Sequence, residues 1–376
     1  MASEANLRPL HDGEAFRAEQ ECLGQVWTLL GCASDIPTKD EWFSATLGGR
    51  SVFIQRFEDG LRGFENRGTH SSYPLRTQPR GQGPIICGFH HWRYDKEGVA
   101  AGIPICREAY GVEPRALNKR LARLDIEHCG DLVFARFPGG KDRASLVEFL
   151  GPAFPSIALL CTDMRSAARA SLPTAANWRL SQQISLDDYH PPAVHASNLG
   201  KIGHLAEDTL NYHRFGPHSA FFLGAGSGTM EAMAKALSES ALEAPGYRIL
   251  HLFPNAAIVF GTAFRLLGQP FRFVLVMRHI PLTFDRSETR LLIQRHSWAS
   301  AEPTLRHNLM NQVESFVRPF IKRRTMRVLG EDRLICEGLQ VGARQIRPGP
   351  AYCRQEARVA WFDEAYAAAM REQNRQ

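Results

Sequence analysis

Two histidines and one cysteine lie on two short segments in the first third of the chain, where they could hold a metal. His70 stands in FENRGTHSSYPL, and sixteen residues later CGFHHWRYDKEG supplies Cys87 and His90. Thiolates and imidazoles are the donors of iron–sulfur and zinc sites. Three donors are one fewer than a closed four-ligand site requires.

A second set of donors lies in the segment NWRLSQQISLDDYHPPAVH. Asp187 and His190 are three residues apart, which places them on one face if this segment is helical. His190 and His195 are five apart, so an unbroken helix would point them about 140° apart. The double proline Pro191-Pro192 predicts a break between the two histidines, which would allow both to face one ion.

The two loop segments resemble those of a Rieske [2Fe-2S] domain, with Cys-x-His, about sixteen residues, then Cys-x-x-His. The resemblance implies that His70, Cys87 and His90 are three of the four protein ligands of the cluster. Gly68 stands at the position of the first cysteine. Because two thiolates hold one iron of such a centre and two imidazoles the other, Gly68 predicts a cluster that is absent, labile or completed by an external ligand.

The second segment resembles the mononuclear-iron motif of Rieske ring-hydroxylating oxygenases, an Asp-x-x-His followed after four residues by a second His. The resemblance implies that His190 and His195 bind Fe(II) and that Asp187 is the bridging acid. The third ligand of that family is an aspartate near the C-terminus, and GEDRLICEGLQVG nominates Asp332. Two imidazoles and one carboxylate leave coordination positions open, as in non-haem Fe(II) oxygenases. Gln183 stands where the family often has asparagine.

The composition is that of an ordinary globular protein, with 44% hydrophobic and 22% charged residues, which excludes wholesale disorder and collagen-like structure. The net charge of +6 is too diffuse to predict nucleic-acid binding. The N-terminus lacks the apolar core of a secretory signal, and the most apolar stretch, 256–264, is too short to cross a bilayer, so we expect a soluble cytoplasmic protein. The eight cysteines contain no CxxC pair, and no spacing supports Cys106 or Cys129 as a replacement ligand.

The sequence pattern of the first half of the chain predicts the secondary structure that supports the loops of His70 and of Cys87 and His90. Apolar residues at helical spacing between Glu14 and Cys32 predict an opening helix within an N-terminal helical segment at 1–40. Three strands and two tight turns follow and begin an antiparallel β Rieske-type domain at 41–140. The strands are predicted at 42–47, 51–57 and 61–66, and the turns at Gly48-Gly49 and Asp59-Gly60.

The second half, residues 141–376, predicts a catalytic domain of the helix-grip-like kind. Strand-like runs alternate with helical patterns, which indicates helices packed on an antiparallel sheet and an α+β class overall. The strand-like runs are 156–161, 273–277 and 290–294, and the helical patterns are 229–242, 314–326 and the stretch from Arg358 onward.

The resemblance implies the terminal oxygenase α subunit of a multicomponent Rieske oxygenase. Such a subunit inserts oxygen from O₂ into an aromatic or other small organic substrate by hydroxylation, dihydroxylation or demethylation. It implies a homotrimer in which the cluster of one subunit passes electrons to the neighbouring iron, with His90 hydrogen-bonded to Asp187 across the interface. No flavin or NAD module is visible in the sequence, so we expect a separate reductase and a ferredoxin as electron donors.

Two other interpretations stay open at this point. The first is a non-catalytic metal-binding homologue that keeps the fold and has lost electron transfer, which Gly68 favours. The second is a hydrolase that uses the same ligand triad around zinc. The first differs from an oxygenase because a reduced, Fe(II)-loaded sample forms no oxidised product. The second differs from an oxygenase in the metal that it holds.

Overall fold

The chain forms two compact units in the computed structural model. The described residues are 7–139, 144–165, 167–196, 210–223, 229–238, 248–266, 269–295, 305–345 and 352–373. The first unit is Gln20–Leu146, and the second unit combines Met1–Glu19 with Val147–Gln376. Each unit has buried apolar clusters of its own.

Short antiparallel strands build the first unit. In chain order they are β1 (Thr28–Cys32), β2 (Glu41–Leu47), β3 (Arg50–Phe57), β4 (Gly60–Glu65), β5 (Arg80–Gln82), β6 (Ile85–Ile86), β7 (Arg93–Tyr94), β8 (Ala100–Gly102), β9 (Asp125–Cys129) and β10 (Leu132–Arg136). Their sheets have the orders β1-β10-β9, β4-β3-β2-β5 and β6-β7-β8. The three strands predicted around the two turns are confirmed as β2, β3 and β4. Gly48 and Gly49, with φ of 55° and 71°, supply the left-handed backbone of the turn between β2 and β3.

The opening helix is shorter than its apolar spacing predicts. Helix α1 covers Gly13–Leu23, so the predicted helix up to Cys32 is wrong in its second half. Gly24 directly follows the last helical residue, and glycine commonly ends helices because it accepts non-helical backbone at no steric cost. The next apolar residues form β1, whose five residues are all buried and pair with β10. This pairing belongs to the first unit, which is Gln20–Leu146.

A seven-stranded antiparallel sheet is the centre of the second unit as described. Its strands are β11 (Ala168–Thr174), β12 (Leu210–Phe215), β13 (His218–Leu223), β14 (Arg248–Leu252), β15 (Ala256–Leu266), β16 (Gln269–Thr283) and β17 (Arg286–Arg295). The order across the sheet is β11-β17-β16-β15-β14-β13-β12. The helices after α1 are α2 (Cys106–Tyr110), α3 (Leu146–Leu150), α4 (Phe154–Leu160), α5 (Trp178–Ile184), α6 (Pro191–Val194), α7 (Met230–Ser238), α8 (Leu305–Val341) and α9 (Ala357–Gln373).

One face of the seven-stranded sheet packs against the long helix α8. We call it the apolar face, and its buried members are Phe221, Ile249, Ala257, Val259, Leu275, Met277, Leu291 and Ile293. They alternate along their strands, as residues on one side of a pleated sheet must. Leu329 of α8 joins this cluster. Asp332 is three residues later on the same helix, so it lies close to the edge of this core.

The α+β class is confirmed, and most of the elements predicted for the second unit are present. Strands at 273–277 and 290–294 lie within β16 and β17, and the helical patterns at 314–326 and from Arg358 lie within α8 and α9. The pattern at 229–242 begins as α7, while residues 239–242 lie outside the described residues. The strand predicted at 156–161 is wrong, because this stretch belongs to α4. A short apolar run has no period that separates a buried strand from a buried helix.

Single turns of 3-10 helix connect several of these elements. They are Arg8–Leu10, Ala33–Asp35, Pro114–Leu117, Gly151–Ala153, Ala343–Gln345 and Arg354–Glu356. Within the described part of the chain, no helix combines the length and apolar character needed to span a membrane.

Candidate metal centres

The two loops of the first unit have the same backbone design. Gly68 donates its N–H to Tyr73 O at 2.9 Å, and Cys87 donates its N–H to Trp92 O at 2.9 Å. In each loop the residue just before the acceptor has left-handed backbone, with φ of 58° and 56°. Gly68 and Cys87 are therefore equivalent positions in two equivalent loops.

The two loops carry three of the four expected donors. His70 Nδ1 lies 3.0 Å from His90 Nδ1, and both imidazoles are exposed. Cys87 is buried, and a Cβ built on Gly68 would lie 3.7 Å from Cys87 Sγ. Position 68 therefore faces the thiol, as the missing cysteine would have to. The residues present match a Rieske cluster at three ligands and lack the second thiolate.

The two other cysteines of the first unit do not join this group. Cys106 is buried in the apolar cluster that contains Cys87, and Cys129 is fully buried at the end of β9. Neither belongs to a group of three close metal donors within the described residues.

The second site begins where α5 ends. Asp187 follows the helix and accepts the backbone N–H groups of Tyr189 at 2.7 Å and His190 at 3.2 Å. The prediction that Asp187 and His190 share a helix is wrong, yet this turn still places Asp187 Oδ2 only 3.6 Å from His190 Nδ1. A short carboxylate that caps neighbouring N–H groups has replaced the helix as the positioning device.

The predicted break between the histidines is also wrong. Pro191 and Pro192 open the short helix α6, where a missing N–H costs nothing. His190 and His195 flank this helix at its first and last caps. His195 donates its N–H to Pro191 O at 2.9 Å, so one tight turn connects the two histidines. His190 has helical backbone and His195 does not, so the two side chains are not held to the angular spacing of one continuous helix.

Asp332 of α8 completes the group. Its Oδ1 lies 3.0 Å from His195 Nε2 and 3.4 Å from His190 Nε2, and the two Nε2 atoms are 3.2 Å apart. One donor atom from each of His190, His195 and Asp332 lies within 4.8 Å of the other two. Asp332 Oδ1 is buried and makes no hydrogen bond of good geometry. Three converging donors of this kind fit one metal ion with open coordination positions.

The charges around the triad suit a cation. Burial opposes protonation of His190, but Asp187 and Asp332 outweigh burial and raise the pKa of His190 to about 9. Burial likewise disfavours the Asp332 carboxylate, and the two histidines reverse this and lower the pKa of Asp332. The carboxylates thus stabilise positive charge at the imidazoles, and a divalent metal ion supplies such charge directly.

Glu331 is a site residue that the sequence analysis did not name. Its Oε2 lies 2.7 Å from His195 Nδ1, as a carboxylate behind a metal-binding histidine often does. The contact directs the proton to Nδ1 and leaves Nε2 as the metal donor. The signal in the sequence is the acid directly before Asp332.

Two polar residues near the triad contact helix α9. Gln183 donates from Nε2 to Asp363 Oδ1 at 2.8 Å, so its amide does not serve the bridging acid. Asp188 pairs with Arg358 of α9 at 2.7 Å. The segment that holds Asp187 and His190 is therefore fastened to the C-terminal helix, which no local pattern indicates.

The comparisons with known proteins agree with this geometry. Residues 161–372, more than half of the chain, match the ring hydroxylating alpha subunit (catalytic domain) family. The chain belongs to the ring-hydroxylating alpha-subunit family. Residues 26–118 match the Rieske [2Fe-2S] domain. Catalytic domains of this family bind mononuclear iron, so the family supports both predicted cofactors, while Gly68 leaves the cluster one ligand short.

Two curated relatives have different named activities. The anthranilate 1,2-dioxygenase large subunit of Burkholderia cepacia is 29% identical over 220 residues, covering 54% of this chain and 48% of that protein. The glycine betaine monooxygenase oxygenase subunit of Chromohalobacter salexigens is 24% identical over 206 residues, covering 51% and 43%. The chain thus spans about half the length of the curated relatives it matches.

Solved structures share the fold along almost the whole chain. Naphthalene 1,2-dioxygenase from Rhodococcus sp. bound to indole has a TM-score of 0.69 at 18% identity and covers 98% of this chain and 99% of that chain. A quaternary ammonium Rieske monooxygenase in complex with L-carnitine has a TM-score of 0.65 at 16% identity, with coverages of 96% and 94%. At this level of identity the likeness establishes the fold alone.

Proposed function

We propose that this protein is the terminal oxygenase α subunit of a multicomponent Rieske oxygenase. It inserts oxygen from O₂ into an aromatic or other small organic substrate, by hydroxylation, dihydroxylation or demethylation. The observation that carries the proposal is the convergence of His190, His195 and Asp332, whose donor atoms lie within 4.8 Å of one another. Two imidazoles and one carboxylate are the facial ligand set of oxygen-activating Fe(II) proteins.

The protein side chains at this triad bind the metal ion and position its ligands. Fe(II) held by the three side chains supplies the chemistry of O₂. Glu331 orients His195 through Nδ1 at 2.7 Å, and the Asp187 carboxylate lies 3.6 Å from His190 Nδ1. The apolar face of the sheet packs against the helix that supplies Asp332 and so fixes the position of that ligand.

We further propose that Gly68 compromises electron supply. Electrons would come from a separate reductase and a ferredoxin through the Rieske loops of a homotrimer, in which His90 would approach Asp187 of the neighbouring subunit. With Gly68 as one of four ligand positions, the loops offer one thiolate where a Rieske centre uses two. The alternative, a non-catalytic homologue that binds metal, rests on this same residue.

A single-turnover experiment separates the two. The protein is loaded with Fe(II) and mixed with a panel of small aromatic compounds. It is then exposed to O₂ with a chemical reductant in excess, because hydroxylation consumes two electrons and Fe(II) supplies one, and products are sought by mass spectrometry. An oxygenase forms product with ¹⁸O from ¹⁸O₂, and His195→Ala forms none. If the wild-type protein binds Fe(II) and forms no labelled product from any compound, the non-catalytic alternative holds. Metal analysis of the protein as isolated tests against a zinc hydrolase.

A further inference from the structure

A buried ion pair stands directly beside the bridging acid. Arg358 of α9 donates from Nη2 to both carboxylate oxygens of Asp188, at 2.7 and 2.8 Å, and from Nε to Oδ2 at 3.1 Å. Tyr212 of β12 donates its hydroxyl to Oδ2 at 2.9 Å. We call Asp188, Arg358 and Tyr212 the anchor. It connects the segment of Asp187 and His190 to a strand and a helix that are remote along the chain.

Asp188 is held by its backbone as well as by its side chain. The N–H of Asp188 donates to Gln355 O at 3.1 Å, in the 3-10 turn that leads into α9. The next two N–H groups, those of Tyr189 and His190, donate to the Asp187 carboxylate at 2.7 and 3.2 Å. Since these four residues form one tight turn with consecutive Cα atoms about 3.8 Å apart, Asp188 cannot shift without moving Asp187 and His190.

Burial distinguishes this pair from an ion pair at the surface. The side chain of Arg358 is 1% exposed and that of Asp188 is 12% exposed, so salt and solvent screen their attraction little. Arg214 of β12 and Glu364 of α9 join the same strand and helix at 2.6 Å, yet their side chains are 40% and 52% exposed. An exposed pair contributes little to stability, whereas the loss of one partner of a buried pair leaves an uncompensated charge. The anchor is therefore the stronger connection.

His190 lacks the direct support that the other two ligands of the triad have. His195 is directed by Glu331, whose Oε2 lies 2.7 Å from Nδ1, and Asp332 belongs to the long helix α8. His190 Nδ1 is buried and makes no hydrogen bond of good geometry in the described part of the chain, with Asp187 Oδ2 3.6 Å away. The position of its imidazole therefore follows from the position of its backbone, which the anchor holds.

Asp188 acts on the metal site indirectly. Among the described residues, the donors close enough to share an ion are the two histidines of the triad and Asp332, without Asp188. The Asp188 carboxylate faces Arg358 and Tyr212 instead. Any effect of Asp188 on a bound metal must therefore pass through the turn that leads to His190.

We propose that the anchor positions His190 for metal binding and couples the metal triad to the docking of α9. Asp188, Arg358 and Tyr212 are positioning residues, because they keep His190 in place and hold no metal themselves. The coupling is reciprocal by thermodynamic linkage. If a docked α9 raises the affinity for the metal, a bound metal stabilises the docked α9 by the same factor. The inference rests on the proposed function only in that the triad is taken as a metal site.

The first test measures Co(II) affinity and the absorption spectrum of bound Co(II) in the full chain, with Co(II) as a probe for Fe(II). Asp188→Asn should weaken binding about tenfold, the lower end of the range for residues that support metal ligands. Tyr212→Phe removes only one hydroxyl and should weaken binding about threefold. Both variants should also change the visible spectrum at saturating Co(II), because that spectrum reports the ligand geometry of the bound ion and not the folded fraction.

The matched control is Arg214→Gln, which breaks the exposed pair between the same strand and helix. It should change neither the affinity nor the spectrum. Circular dichroism and thermal unfolding of each metal-free protein establish that the variants fold. Tyr212→Phe decides the matter if Asp188→Asn does not fold.

The second test is hydrogen exchange of the peptides that cover residues 352–366, with and without saturating Co(II). In the wild type, Co(II) should slow exchange at the start of α9 about tenfold, the same factor as the loss of affinity in Asp188→Asn. Asp332→Ala, which lacks a ligand of the triad, should show no slowing. Asp188→Asn should show little slowing even when it is saturated with Co(II).

A folded Asp188→Asn protein with wild-type Co(II) affinity and spectrum overturns the coupling, as does exchange in 352–366 that Co(II) leaves unchanged in the wild type. Labelled product is measured on the same wild-type preparation with Fe(II) in place of Co(II). If the wild type binds metal and forms labelled product while the anchor variants bind metal equally well, the coupling is refuted and the proposed function is not. If the wild type binds no metal at the triad, both are refuted.

Discussion

Replacing Gly68 by cysteine should restore the missing half of the Rieske site. The backbone of Gly68 is outside the left-handed region, so a side chain meets no conformational penalty there. A Cβ at this position would lie 3.6 Å from Leu75 Cδ2 and 3.7 Å from Cys87 Sγ, which are ordinary contacts. It would lie 3.1 Å from Tyr73 O, a tight contact that a shift of a few tenths of an ångström relieves.

The expected gain in cluster binding is large compared with the cost of this tight contact. Relief of one tight contact costs about 1 kcal/mol, the lower end of the range for overpacking. A second thiolate beside Cys87 completes the ligand set of two sulfurs and two imidazoles. Gly68→Cys should therefore hold about two more iron atoms and about two sulfides per chain than the wild type.

The assay is iron and acid-labile sulfide analysis after anaerobic reconstitution, together with visible absorption and electron paramagnetic resonance of the reduced sample. Gly68→Ala is the matched control, since it adds the Cβ and no thiol. Steady-state turnover with excess reductase and ferredoxin should rise in Gly68→Cys alone. Full cluster occupancy in the wild type, or a Gly68→Cys protein without a cluster, would refute the assignment of these loops.

Three further predictions concern the second unit. Glu331→Ala should weaken Fe(II) binding about 10- to 100-fold, because the carboxylate orients His195, as measured by competition with a chelator dye. Fe(II) or Co(II) should raise the thermal unfolding midpoint of the wild type but not of Asp332→Ala, because binding to the native state stabilises it. Burial lowers the pKa of His218 to about 4, so the contribution of this residue to the unfolding free energy should fall by about 1.4 kcal/mol per unit as pH drops from about 6.5 towards 4, and His218→Gln should reduce the pH slope by that amount.

The sign of the pH effect follows from the hydrogen bonds of His218. Its Nε2 donates to Phe149 O at 2.8 Å, and its Nδ1 accepts from Phe253 N at 3.0 Å, so the native protein holds the neutral ring. The unfolded chain takes up the proton first. An unchanged pH slope in His218→Gln would contradict this account. Glu364→Gln is the exposed control for Glu331→Ala, and equal metal affinity in these two variants would exclude the orienting role.

The spacing of residues in the sequence was sufficient to identify candidate metal ligands at both sites. The distances along the chain between His70, Cys87 and His90, and between Asp187, His190 and His195, indicated metal ligands before any fold was known. The local structures that orient these side chains could not be predicted from the spacing. Asp187 acts through a capping turn, and the double proline opens a helix, because a proline is compatible with both a helix start and a helix break.

Tertiary structure alone decided which distant groups meet. The family resemblance nominated Asp332, whereas only the fold shows that Glu331 contacts His195 and that Arg358 pairs with Asp188. The helix that supplies Asp332 and Glu331 is placed by its packing against the apolar face of the sheet. The family pattern placed Gly68 at a cysteine position, and the hydrogen bonds of the two folded loops show that its backbone matches that of Cys87. The spacing of apolar residues indicates which side of a helix or strand is buried. Which other element that side contacts depends on the shapes of both surfaces in the folded protein.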